Sequence, residues 1–66
     1  MTIFVNAEKR DVPDGLSVAA LVAHLGLHPS RIAVERNLEI LPRSRWGDTM
    51  IELNDRYEIV QLVGGG

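Results

Sequence analysis

Sixty-six residues, no Cys and a formal charge of −2 describe one small domain. A chain this short buries only about 60% of its unfolded surface, which leaves little depth for a catalytic cleft, and without Cys there is no disulfide framework, thiolate nucleophile or Cys-based zinc site. Seven Lys+Arg scattered among nine Asp+Glu give no basic footprint for nucleic acid.

Hydrophobic residues make up 45% and charged residues 24%, too apolar and too weakly charged for disorder. No apolar run is long enough to span a bilayer, and the start MTIFVNAEKR lacks the layout of a signal peptide. A cytoplasmic protein without a membrane partner is expected.

In chain order, Thr2 to Asn6 reads as a strand with Ile3 and Val5 facing inward and Phe4 outward. Asn6, Ala7 and Glu8 form a turn into a second strand, roughly Lys9 to Val12, which Pro13, Asp14 and Gly15 end. Val18, Leu21, Val22 and Leu25 then recur at the i, i+3, i+4, i+7 spacing of an amphipathic helix. Ser17 is its N-cap and Gly26 its left-handed stop, and Pro29 shows that the helix is over.

Ile32 to Glu35 reads as a third strand with Ile32 and Val34 inward, and Asn37 turns the chain into a short apolar piece, Ile40 and Leu41. After Pro42, the stretch Arg43 to Asp48 holds a single helical turn carrying Trp46, followed by the apolar residues Met50, Ile51 and Leu53. Asn54, Asp55 and Arg56 make a polar turn, and Tyr57 to Val63 is the last strand. The expected core is Ile3, Val5, Val12, Val18, Leu21, Leu25, Ile32, Val34 and Ile59. One helix laid on one face of a mixed sheet of four to five strands is the α+β solution this order favours.

Three of the six Gly are the last three residues, Gly64, Gly65 and Gly66. Glycine has no Cβ, so such a segment can extend and enter a crevice too narrow for other residues. A terminal carboxylate on Gly66 is unhindered and ionised at neutral pH, since an α-carboxyl has a pKa of about 3.5. It can attack the α-phosphorus of a nucleotide supplied by a second protein. A frayed end is the plain alternative, but Ile59 to Val63 lead into the glycines without a polar linker. The chain is thus read as a domain over residues 1–63 with a flexible glycine tail over 64–66.

The run Val34-Glu35-Arg36-Asn37-Leu38-Glu39-Ile40-Leu41-Pro42-Arg43-Ser44-Arg45-Trp46 resembles the V-x-x-N-x-x-I-V-P-R-x-x-W stretch of the ThiS family, the sulfur carriers of thiamine biosynthesis. Leu41 stands where Val is common. The start Met1 to Asn6, the Ser17-Val18-x-x-Leu21 spacing, Tyr57 to Val60 and the end Val63-Gly64-Gly65-Gly66 also resemble that family, so the likeness covers essentially the whole chain. Asn54 stands where many members have Gly, a mild departure because Asn tolerates the left-handed conformation.

The resemblance implies a ubiquitin-like β-grasp fold and a carrier that is acted upon, not an enzyme. The Gly66 carboxylate would be adenylated by an E1-like enzyme of ThiF type, converted to a thiocarboxylate with sulfur from a donor such as a cysteine desulfurase, and used by a thiazole synthase of ThiG type. Gly64 and Gly65 would thread the end into each partner. No cofactor or metal is expected on the carrier, a monomer on its own; ATP is consumed by the activating partner. A related carrier for molybdopterin synthesis or ubiquitin-like conjugation, or an interaction module with an inert tail, are the alternatives.

Partners also need a surface. Phe4, Val60 and Leu62 are expected to point away from the helix on neighbouring strands and to form one exposed apolar patch. His24 and His28 are four apart, but Gly26 lies between them and no third ligand is evident. Arg43, Arg45 and Trp46 read as a solvated pair of charges and a residue closing the core edge.

Overall fold

The computed structural model describes residues 1–63. Five strands, β1 (Thr2–Val5), β2 (Glu8–Asp11), β3 (Ile32–Arg36), β4 (Glu39–Leu41) and β5 (Arg56–Gln61), form one sheet in the order β2-β1-β5-β3-β4. The central pair β1 and β5 is parallel and the other neighbours are antiparallel. The helix α1 (Val18–His24) lies on one face, so the mixed sheet and single main helix are those of the expected β-grasp.

Both hairpins close through two residues at positive φ, Asn6 (51°) and Ala7 (67°), and Asn37 (51°) and Leu38 (72°). Such turns match the twist of the flanking strands. The first turn is one residue tighter than expected: Glu8 is already paired with Val5, and β2 ends at Asp11, one residue before the buried Val12.

Helix α1 starts as the sequence indicates, with the Ala20 N–H donating to Ser17 Oγ at 3.1 Å. At its end Gly26 adopts φ +74°, the Gly26 N–H donates to Ala23 O at 3.0 Å and the Leu27 N–H to Val22 O at 3.1 Å. This pair of bonds is a Schellman stop, which satisfies the last carbonyls by placing a residue without Cβ in the left-handed region. The regular turns run from Val18 to His24, within the expected Ser17 to Leu25.

A 3-10 turn at Pro29–Arg31 leads into β3, and a longer one at Arg43–Asp48 carries Trp46 under the sheet. Trp46 is buried and its indole N–H donates to Leu41 O at 3.0 Å. The core contains Ile3, Val5, Val12, Val18, Leu21, Ile32 and Val34 as expected, and adds Val22, Trp46, Ile51 and Tyr57. Leu25 and Ile59 only border it. Both line a surface hollow of about 220 Å³ together with Leu27 and Gln61, so water reaches one side of each.

Candidate functional site

Strand β5 leads toward the glycines and is held differently on its two sides. On the β3 side its pairing runs to Gln61, opposite Ile32, and the Leu62 N–H still donates to Arg31 O at 2.8 Å. The regular strand therefore stops two residues short of the expected Val63. On the β1 side the registered pairs end at Val5 and Tyr57.

Beyond that point a side chain continues the ladder. Asn6 Oδ1 accepts the Ile59 N–H at 2.8 Å and Asn6 Nδ2 donates to Ile59 O at 3.1 Å. The amide group thus stands in for one more residue of β1. Replacing Asn6 by Ala removes both bonds and puts a Cβ without a polar group at positive φ, which costs about 1–3 kcal/mol. Asn6→Gly keeps the turn conformation and loses only the clamp, so urea unfolding should place it between the wild type and Asn6→Ala.

The opposite end of β5 is knotted around Asp55, the one buried charged residue among those described, 5% exposed. Its carboxylate accepts from Tyr57 Oη at 2.8 Å, the Glu52 N–H at 2.9 Å, Arg36 Nε at 3.0 Å and Asn37 Nδ2 at 3.1 Å. Asn37 in turn accepts the Arg56 N–H through Oδ1 at 2.9 Å, while its own N–H donates to Arg56 O at 2.7 Å. Burial pushes the Asp55 carboxyl up, but the Tyr57 hydroxyl, the Glu52 amide, the Asn37 amide and the Arg36 guanidinium outweigh it and hold the carboxyl below its ordinary value. Burial and the neighbouring carboxylate push the Tyr57 hydroxyl up.

Asp55 reads from sequence as part of a polar turn, and its burial is a correction. The turn does exist, with Asn54 at φ +66°. The carboxylate is nevertheless covered because Arg36 and Asn37, remote in sequence, fold over it.

The face of the sheet away from α1 carries the predicted partner residues. Val60 and Leu62 are 54% and 56% exposed and lie two residues apart, the spacing that shares a face. Ala33 is the register partner of Val60, and a hollow of about 320 Å³ is lined in part by Ala33, Ile40, Pro42 and Leu62. Ile40, 79% exposed, belongs to this face as well, as the register partner of Glu35.

Phe4 is set apart from this group. It is half-buried, its register partner is Arg56, and the Arg56 guanidinium lies 5.1 Å from the ring centroid. Val60 lies four residue steps along β5 from that level, about 13 Å at the rise of a strand. Glu58 sits between them on the same face. The three residues are thus not one continuous patch, because the parallel register of β1 and β5 places Phe4 at the start of β5. Gly64, Gly65 and Gly66, expected to carry and thread the reacting carboxylate, lie outside the described residues.

Among the described residues no group of three or more His, Cys, Asp or Glu is arranged to hold a metal ion, and no helix is long and apolar enough to cross a membrane.

This layout is a β-grasp domain whose central strand, β5, carries the exposed apolar residue Val60, with Leu62 just beyond it, on the face away from the helix. The ThiS family model matches residues 3–66, and the chain belongs to the ThiS family. It is similar over all 66 residues, at 39% identity, to a thiazole synthase of Paramagnetospirillum magneticum, of which it covers 20%. It is 35% identical to the uncharacterized protein ycf40 of Porphyra purpurea, covering 93% of that protein. Among solved structures it resembles the crystal structure of a thiamine biosynthesis protein (ThiS) from Geobacter metallireducens, at 29% identity and a TM-score of 0.86 over the full length of both chains. The chain thus spans about one fifth of the length of the thiazole synthase it matches.

Proposed function

We propose that this chain is a sulfur carrier of thiamine biosynthesis, acting through the carboxylate of Gly66 and delivering sulfur to a thiazole synthase. The family match running to residue 66, glycine end included, carries this reading. The matching thiazole synthase, one fifth of whose length corresponds to the chain, supports that destination over molybdopterin synthesis or conjugation to lysine.

In the first step a Gly66 carboxylate oxygen attacks the α-phosphorus of ATP on an E1-like partner, the α–β phosphoanhydride bond breaks and pyrophosphate leaves. In the second, a sulfide equivalent from the sulfur donor attacks the acyl adenylate and AMP leaves, so that sulfur replaces one oxygen. The fold contributes a stable base and a strand clamped by Asn6 on one side and by β3 on the other. Partners contribute the metal ion, the nucleotide and the cleft.

Incubation with ATP, the E1-like enzyme and a sulfur source, followed by intact mass measurement, should show a gain of about 16 Da, the exchange of oxygen for sulfur in a covalent intermediate. No gain with a competent partner would favour the inert module. Transfer from the loaded chain to thiazole synthase then reads the destination. Leu62→Asp should slow sulfur loading while leaving stability within about 0.5 kcal/mol, because the side chain is exposed. Unchanged kinetics would remove Leu62 from the docking surface.

A further inference from the structure

We infer that the sheet face away from the helix docks on thiazole synthase, and that the carboxylate pair Glu35 and Glu58 on this face selects a patch of Lys or Arg beside an apolar knob. This rests on the carrier function proposed above.

Glu35 and Glu58 are register partners on adjacent antiparallel strands. Both are exposed, and strand alternation puts them on the outer face, since Val34 and Tyr57 beside them are buried in the core. Like charges directly opposite one another destabilise a sheet. Among the described residues neither carboxylate takes part in an ion pair. Arg56, two residues from Glu58, is stacked over Phe4 instead.

The face is therefore graded along its length. Toward the tail, the next outward row after the carboxylates is Ala33 and Val60, about 7 Å farther along the strands, and Leu62 follows two residues later. In the sequence only Val63 separates Leu62 from Gly64. A partner that receives the tail must cover this row first, and complementary charge then places its cations over Glu35 and Glu58. A second copy of the chain fits poorly over this pair, because a two-fold contact centred on it brings the same carboxylates together.

The test measures association of the full chain with purified thiazole synthase from the same organism, for the wild type, Glu35→Gln, Glu58→Gln and the double variant. The expected result has opposite signs in two readouts. Thermal unfolding occurs at the same or a higher temperature in the glutamine variants, while association at low salt slows roughly tenfold in the double variant. The wild-type rate falls as salt screens the charges, and that of the double variant changes little.

Equal association rates in wild type and double variant, or a wild-type rate indifferent to salt, would overturn the docking proposal. So would a lower unfolding temperature in the glutamine variants, which would make the carboxylates structural. These results are independent of sulfur loading. A chain that gains sulfur yet ignores the substitutions loses only the docking surface, whereas a chain that binds but never gains sulfur loses the carrier function.

Discussion

Deleting Gly66 should abolish sulfur loading without unfolding the domain. On the proposed carrier function the wild type should gain about 16 Da on thiolation of its carboxylate; the shortened chain, incubated in the same way, should keep its original mass. The deletion leaves a glycine carboxylate, now on Gly65, so the chemistry of the end is unchanged and only its reach is altered. One extended residue spans about 3.3 Å. A misplacement of even about 1 Å at a reacting atom can cost 100-fold, so the shortened end falls well short of the α-phosphorus.

The deletion should leave stability alone, because among the described residues the last fully buried one is Tyr57 and the last registered pair involves Gln61. Equal loading of the two proteins would show that the reacting carboxyl is not at Gly66. The wild-type intact mass also reads whether Gly66 ends the mature chain.

The largest stability effect is expected at Asp55. Asp55→Ala leaves Arg36 beside an empty site and strips the Tyr57 hydroxyl and the Glu52 amide of their acceptor. Removing one partner of a buried ion pair costs about 3–5 kcal/mol. A domain of this size has a total stability of only about 3–10 kcal/mol, so the variant should be largely unfolded or close to it. Asp55→Asn keeps the shape and part of the hydrogen bonding and should lose less.

The same site sets a pH dependence. The folded Asp55 carboxyl titrates below its ordinary value, which for an unfolded chain is about 3.9. As pH falls, the unfolded state therefore takes up the proton first. The Asp55 contribution is fully present above the unfolded value and is lost as pH drops through the folded one. Urea unfolding of the wild type at neutral pH and at successively lower pH should show this loss, and Asp55→Asn should show a smaller one. An identical acid dependence in the two proteins would place the titrating group elsewhere.

The first-half elements and the helical turn around Trp46 were legible because each is specified by neighbours in the chain. Alternation at Ile3 and Val5, the stripe of Val18, Leu21 and Val22, the Ser17 cap and the Gly26 stop are local rules, and each has its expected counterpart in the fold. The family was legible as well, since its run from Val34 to Trp46 and its glycine end are written in single residues.

The sequence by itself thus determined the elements, the helix-facing sides of the strands and the residues of the tail. Only the tertiary structure decided what those elements bring together. Strand register is one such property: pairing Phe4 with Arg56, not with Val60, divides the expected apolar patch, and pairing Glu35 with Glu58 puts two carboxylates side by side on the outer face. Burial of a polar turn is another. Asp55 is covered by residues 18 and 19 positions earlier, and Asn6 reaches 53 positions to hold Ile59. Periodicity reports which way a side chain points along its own strand, whereas contacts between distant segments depend on how those strands are slid against one another.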